Sequence, residues 1–242
     1  TGSGANPAAK NLVRYAYGSD LTGLFIGSHG SLGVITEVTL KMYPLPETRA
    51  YRGYIFQDLE SAARAMYHIQ SKDIGLESMY LRTSDWLATY FHELKQDLGA
   101  DTVLLILLAG IEEEINMKTR RIDDICLKEG RSMPYEIAEK MWKLSAGEES
   151  VFSRASGQYS PMWTSLCSNI PTLEIPRFAK AFEELCEKRK INEYKMEGVF
   201  WGGHACKGTQ IVCAPIIFFD ERDEKIRQEV RKFLLEAIDQ LT

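Results

Sequence analysis

Residues 51–72 read Tyr51-Arg52-Gly53-Tyr54-Ile55-Phe56-Gln57-Asp58-Leu59-Glu60-Ser61-Ala62-Ala63-Arg64-Ala65-Met66-Tyr67-His68-Ile69-Gln70-Ser71-Lys72, and the apolar period changes inside this stretch. The run 51–56 is rich in aromatic and β-branched residues, as a strand requires. Asp58 then stands at a helix N-cap position, and Leu59, Ala62, Ala63, Met66 and Ile69 recur on one helical face. A strand handed directly to a capped amphipathic helix predicts a mixed fold.

The alternation of elements continues downstream. The pattern predicts a short strand over 77–82, a helix over 84–95 and a buried strand over 102–109. A charged helix follows over 112–129, with Ile115, Met117, Ile122, Ile125 and Leu127 on its inner side and Gly130 at its end. After a helix over 135–144, the run SAGEESVFSRASGQYSPMW (145–163) is rich in small polar residues and suits a long loop, a common place for function. Strands over 163–168, 194–206 and 209–219 and helices over 175–190 and 221–241 complete the chain, with a turn at Lys207-Gly208. This order predicts an α+β, ferredoxin-like antiparallel sheet with helices on one face, and no sequence repeat is visible.

Upstream, residues 34–43 place Val34, Thr36, Val38, Leu40 and Met42 on one side and Glu37, Thr39 and Lys41 on the other, the pattern of a strand with one wet face. Pro44 and Pro46 remove backbone donors and stop its ladder. A domain boundary is therefore expected near residue 47, dividing the chain into 1–47 and 48–242. The opening run TGSGANPAAK starts at Thr1 and reads as a cut end.

Composition narrows the function classes. The 242 residues are 45% hydrophobic, enough for a sizeable core, and 34 acidic against 29 basic residues leave a formal charge of -5. The charges are mixed along the chain, so no basic face recruits nucleic acid. The longest apolar run, 102–110, is too short to cross a bilayer, so no membrane span is expected. Cys126, Cys167, Cys186, Cys206 and Cys213 form an odd set without a C-x-x-C pair, which suits reduced thiols in the cytoplasm.

The stretch 27–36, GSHGSLGVIT, places glycine at every third position before turning apolar. A dinucleotide fingerprint needs G-x-G-x-x-G between a strand and a helix, and a Walker loop needs Gly-Lys-Ser/Thr at its end; neither fits. Two readings stay open on the residues alone: a backbone-lined anion cradle with the hydroxyls of Ser28 and Ser31, or a tight turn feeding a strand.

Residues 20–47, DLTGLFIGSHGSLGVITEVTLKMYPLPE, closely resemble the end of the FAD-binding domain of vanillyl-alcohol-oxidase-type flavoproteins, in the branch that includes glycolate oxidase and D-lactate dehydrogenase subunits and alkyl-dihydroxyacetonephosphate synthase. The resemblance implies that Gly27, Ser28, His29, Gly30, Ser31, Leu32, Gly33, Val34 and Ile35 lie against FAD. It makes 1–47 the C-terminal part of the FAD-binding domain and 48–242 a substrate-binding cap. His29 stands where the family usually has Glu, and Ser31 where it has Thr. The earlier half of the FAD domain, or a partner subunit that supplies it, is expected to complete the cofactor cradle, so the isolated chain should bind FAD weakly and be inactive.

Within the cap, the stretch GVFWGGHACKGTQIVCAPIIFF (198–219) resembles a strand pair that carries several histidines in this family; here only His204 is present, too few for a metal site. His204 is a candidate substrate contact. The segment from Trp142 resembles a Trp-x-x-Arg motif of the lactate branch, with Ser145 in place of arginine, so Arg154 is the candidate to hold a substrate carboxylate. Trp201 and Tyr159 are candidate walls. The implied reaction is hydride transfer from a small-molecule 2-hydroxy acid or similar alcohol to FAD. Alternatives are a non-catalytic ferredoxin-like binding module, or a non-redox flavoenzyme of the alkyl-dihydroxyacetonephosphate synthase type.

Overall fold

The computed structural model describes residues 21–40, 42–90, 102–146, 162–206 and 208–241. The chain divides into two compact units, Thr1–Leu45 and Pro46–Thr242.

In the first unit, a short helix α1 (Leu21–Phe25) leads into the glycine loop. The strand expected over 34–43 is not found: none of its described residues enters a ladder. Alternation produces a strand only where neighbouring strands take up the backbone bonds and one face is covered. Here both sides face solvent, with Val34 on one side 89% and Ile35 on the other 56% exposed.

The second unit is built on one antiparallel sheet. Its first half runs β1 (Thr48–Phe56), α2 (Leu59–Ser71), β2 (Ser78–Thr83), α3 (Ser84–Tyr90), β3 (Thr102–Gly110), α4 (Glu112–Cys126) and β4 (Arg131–Ser132). After α5 (Tyr135–Ala146), the second half runs β5 (Met162–Ser165), β6 (Ser168–Pro171), α6 (Ile175–Lys188), β7 (Glu197–Ala205), β8 (Gln210–Phe219) and α7 (Glu224–Leu241). The spatial order is β4-β1-β3-β2-β7-β8-β5, with β6 also on β8. Each half is thus a strand-helix-strand-strand-helix unit whose third strand lies between the first two, the split arrangement of ferredoxin-like folds. The two halves meet where β2 pairs antiparallel with β7. A repeat invisible in the sequence is therefore plain in the topology, because topology needs only matching periods and turns, not matching residues.

Local chemistry accounts for the elements. Asp58 caps α2 by accepting the Ser61 amide at 2.7 Å, as its position predicted. Three glutamates, Glu112, Glu113 and Glu114, occupy the first turn of α4, where the helix dipole favours negative charge. That helix ends at Cys126, three residues before the expected end. Gly130 serves a different purpose, since a Cβ there would lie 2.8 Å from the Ile55 carbonyl oxygen. Pro215 lies inside β8 opposite Phe200 and has no N–H to give a ladder. On its two sides β5 and β6 are separate short strands, and β7 is bulged between Phe200 and Gly203. One proline thus explains why the strand expected over 163–168 is two.

The sheet has two covered faces. Tyr54, Phe56, Met79, Leu81, Leu104, Ile106 and Leu108 pack with α2, α4, α6 and α7 on the first face. Ile55, Val103, Leu105, Leu107, Val199, Ile216 and Phe218 turn to the second, where Trp86 and Leu87 of α3 and Ala138, Met141 and Trp142 of α5 meet them. Burial on both sides is why β3 reads as an unbroken apolar run. The long helices share one face, as the α+β reading expects; α3 and α5 add a partial layer to the other.

Candidate functional site

The glycine loop belongs to the first unit. The Ser28 amide donates to the Phe25 carbonyl at 3.2 Å, and the Ser31 amide donates to the Ser28 carbonyl at 2.9 Å. The Ser31 hydroxyl donates to that same carbonyl at 2.6 Å. Gly27, His29 and Gly30 adopt left-handed φ values of 80°, 49° and 81°, a conformation that costs glycine nothing and other residues about 1 kcal/mol. A Cβ added to Gly27 or Gly30 would meet nothing within 4 Å. These glycines are therefore required by backbone conformation, and the main chain in front of them stays open to close approach. Such a loop fits one side of an extended anionic cofactor. Every described residue from 29 to 40 is exposed, so within this unit the loop forms a single open side. The Ser31 proton points back into the loop, as do the amides of Ser28 and Ser31, which leaves the Ser28 hydroxyl and the other loop amides as the donors that could meet an anion.

The second unit carries a different constellation, built on the second sheet face at the β2–β7 seam. Alternation along β2 sends Met79 and Leu81 into the first-face core, and Tyr80 with Arg82 to the opposite side. Arg82 is only 6% exposed. Its guanidinium carbon lies 4.5 Å from the centroid of the Tyr80 ring and 5.4 Å from that of Trp86. Arg82 Nε donates to Ser145 Oγ at 3.4 Å, and Ser145 in turn donates to the Met141 carbonyl one turn earlier in α5, at 2.8 Å. Trp142 meets the Tyr80 ring edge-on at 5.1 Å.

His204 joins this cluster from β7. Its ring stacks on Tyr80 at 4.5 Å with 30° between planes, and its Nε2 lies 2.6 Å from Ser78 Oγ. The bulge makes this possible. Val199 faces the second side, so strict alternation would put 201, 203 and 205 there; the irregularity between Phe200 and Gly203 shifts the parity and brings His204 opposite Tyr80. Gly202, at φ 92°, and Gly203 permit it, because a Cβ on either would lie 2.2 Å from a carbonyl oxygen, of Leu81 and Val212 respectively.

Electrostatics follow from the geometry. Burial lowers the His204 pKa below its usual 6.5, and the positive charge of Arg82 lowers it further. His204 is thus a neutral imidazole at physiological pH, able to take up a proton. One face of the sheet consequently holds a neutral base, a buried cation, a serine hydroxyl and aromatic walls.

The residues picked out in the sequence distribute unevenly. His204 lies in this cluster; Gly27 to Ile35 lie in the first unit. Arg154 and Tyr159 fall in 147–161, outside the described residues, and Trp201 belongs to the bulged part of β7. Among the described residues no group of three or more His, Cys, Asp or Glu side chains is placed to hold a metal ion. The five cysteines carry free thiols, and no described helix is long and apolar enough to cross a membrane. Sequence reading missed Arg82. The signal was present: Ser78-Met79-Tyr80-Leu81-Arg82 alternates, and an arginine on a covered strand face is a departure that asks for a reason.

Comparison with known proteins identifies the family. Residues 45–241 match the family described as FAD linked oxidases, C-terminal domain. The glycolate oxidase subunit GlcD of Escherichia coli (strain K12) is 31% identical over 212 residues, covering 85% of this chain and 40% of that protein. Alkyldihydroxyacetonephosphate synthase of Trypanosoma brucei brucei is 37% identical over 68 residues, 28% of this chain and 11% of that protein. The crystal structure of p-cresol methylhydroxylase with substrate bound superposes with a TM-score of 0.77 at 16% identity, over 99% of this chain and 52% of that one, a likeness of fold. The chain spans less than half the length of the curated relatives it matches. It belongs to the FAD-linked oxidase family, whose C-terminal domain it contains and whose cofactor is FAD.

Proposed function

We propose that residues 48–242 are the substrate-binding cap of an FAD-dependent oxidoreductase acting on a 2-hydroxy acid, and that 1–47 are the C-terminal part of its FAD-binding domain. The observation that carries this reading is His204, a neutral imidazole hydrogen-bonded to Ser78 and facing the same ring as a buried arginine. The similarity to glycolate oxidase subunits supports the substrate class.

FAD, when bound, supplies the two-electron acceptor. The backbone of Gly27, Ser28, His29, Gly30, Ser31, Leu32, Gly33, Val34 and Ile35 would line it, since the glycines leave main-chain amides unobstructed. The remaining walls come from the other half of the FAD domain, in the same polypeptide or in a partner subunit. In the cap, His204 accepts the substrate hydroxyl proton at Nδ1, the ring nitrogen that Ser78 does not hold. Trp142 and Tyr80 shield the site from water. Five free thiols suit a cytoplasmic setting.

The test uses the full-length protein that contains this chain. It should be yellow as purified and be bleached anaerobically by its 2-hydroxy acid. His204→Gln should retain the flavin and slow bleaching by about 10²- to 10⁴-fold, the contribution of a positioned base. Colourless protein that takes up no added FAD overturns the reading. The match to alkyldihydroxyacetonephosphate synthase favours a second reading, a flavoenzyme without net redox change; flavin-loaded protein that no 2-hydroxy acid reduces would select it.

A further inference from the structure

We propose that Asn169 is a specificity-determining residue that reads the far end of the substrate, and that the cap favours 2-hydroxy acids carrying a second hydroxyl two carbons beyond the oxidised one. This deepens the 2-hydroxy-acid reading and rests on it.

The argument begins with register. Ile170, Ala205, Ile211 and Cys213 pack in or against the first-face core, so alternation sends Asn169, His204, Cys206 and Val212 to the second face. Val212 of β8 pairs with His204 of β7 on one side and with Asn169 of β6 on the other. Tyr80, His204, Val212 and Asn169 therefore stand abreast on neighbouring strands. The backbones of His204 and Asn169 are two strand spacings apart, about 10 Å.

Orientation supplies the second argument. Asn169 belongs to an outer strand, yet its side chain leans back over β8 instead of outward to water. Its Oδ1 lies 3.7 Å from Sγ of Cys206, which stands on the far side of β8 at the end of β7. The His204 ring leans the other way, stacked on Tyr80 with Nε2 beside Ser78. Val212 lies between the two side chains as a partly buried apolar floor, and Asn169 itself is exposed. A substrate whose hydroxyl meets Nδ1 of His204 can lay its carbon chain over Val212, with its far end toward the carboxamide. The thiol is a weak donor to Oδ1, so the two N–H donors of the carboxamide and a second lone pair remain for a ligand. Asn169 and Cys206 are neutral, and a neutral donor-acceptor pair matches a hydroxyl better than a second carboxylate. Arg82, the cation of the cluster, belongs to β2 on the other side of His204.

The test compares 2,4-dihydroxybutanoate with 2-hydroxypentanoate, which carries a methyl group in place of the second hydroxyl, as substrates of the full-length flavoprotein. The unmodified protein should favour the dihydroxy acid in kcat/KM by about 10-fold, the contribution of one hydrogen bond between neutral groups. Asn169→Leu should remove that preference by slowing the dihydroxy acid alone; an unchanged rate on 2-hydroxypentanoate shows that the fold is intact. Asn169→Gln, which keeps the carboxamide on a longer stem, should restore a preference for a hydroxyl at a different carbon. Calorimetry with 4-hydroxybutanoate and pentanoate repeats the comparison without turnover, since neither acid has a 2-hydroxyl to oxidise. Oxidation of both substrates without preference, or a preference that survives Asn169→Leu, overturns the proposal and leaves the oxidation reading standing. Binding that depends on Asn169 without any flavin reduction keeps this subsite and removes the oxidation reading. Neither binding nor reduction overturns both.

Discussion

The two faces of the sheet are made from the same strands and differ in nearly everything else. On β2, Met79 and Leu81 enter an apolar core roofed by four long helices, while Tyr80 and Arg82, one residue out of step, meet rings, hydroxyls and a histidine. The first face obeys the economy of folding, in which apolar area is removed from water and nothing polar is left behind. The second departs from it at Arg82 and His204. The contrast teaches that one strand can serve two different environments with alternate residues.

That contrast can be broken from either side. The largest expected effect is on the first face, where Leu104 is fully buried. Leu104→Ala should lower unfolding free energy by about 2–5 kcal/mol in denaturant titrations, yet leave the rate of flavin reduction in the folded full-length protein unchanged. A parallel loss of that rate would show that the faces are not separable. At the seam, Gly202→Ala must place a Cβ 2.2 Å from the Leu81 carbonyl oxygen at φ 92°. It should cost about 1–3 kcal/mol from overpacking alone and, unlike Leu104→Ala, should also slow flavin reduction, because relief requires β2 and β7 to part between Tyr80 and His204.

The smallest effect is one of pH. The folded-state pKa of His204 lies below its unfolded value of 6.5, so below pH 6.5 the unfolded chain binds the proton first. The stability contributed by neutral His204 is complete above that value and is lost as pH falls toward the folded pKa. The activity limb of a catalytic His204 should fall in the same window, and Arg82→Met should move it to higher pH by removing the cation that opposes protonation. An acidic limb insensitive to Arg82 would separate the two groups and weaken the picture of one constellation.

Much of the fold was legible because it rests on local rules. The Asp58 cap, the apolar stripe of α2, the two-faced run of β3 and the hairpin of β7 and β8 each carry their signal within a dozen residues. The failures have physical causes. Residues 34–43 alternate as a strand does, but a ladder needs neighbours that alternation cannot supply. The expected strand at 163–168 is divided opposite Pro215, about fifty residues away in sequence. Among site residues, His204 drew attention by its type. Arg82 did not, since a charge in sequence gives no sign of whether it will be hydrated or buried.

By itself, the sequence determined the mixed class, the order of elements and the N-cap of α2, all properties of contiguous residues whose backbone preferences and periods act over a few ångströms. Only the tertiary structure decided that the two halves repeat one topology, that a bulge beside Gly202 turns His204 to the face of Tyr80, and that Arg82 from β2 and Ser145 from α5 come within hydrogen-bonding distance. Those outcomes depend on pairing between segments 63 to 124 residues apart, where register and face are set by the summed burial of the whole sheet and by no single stretch of chain.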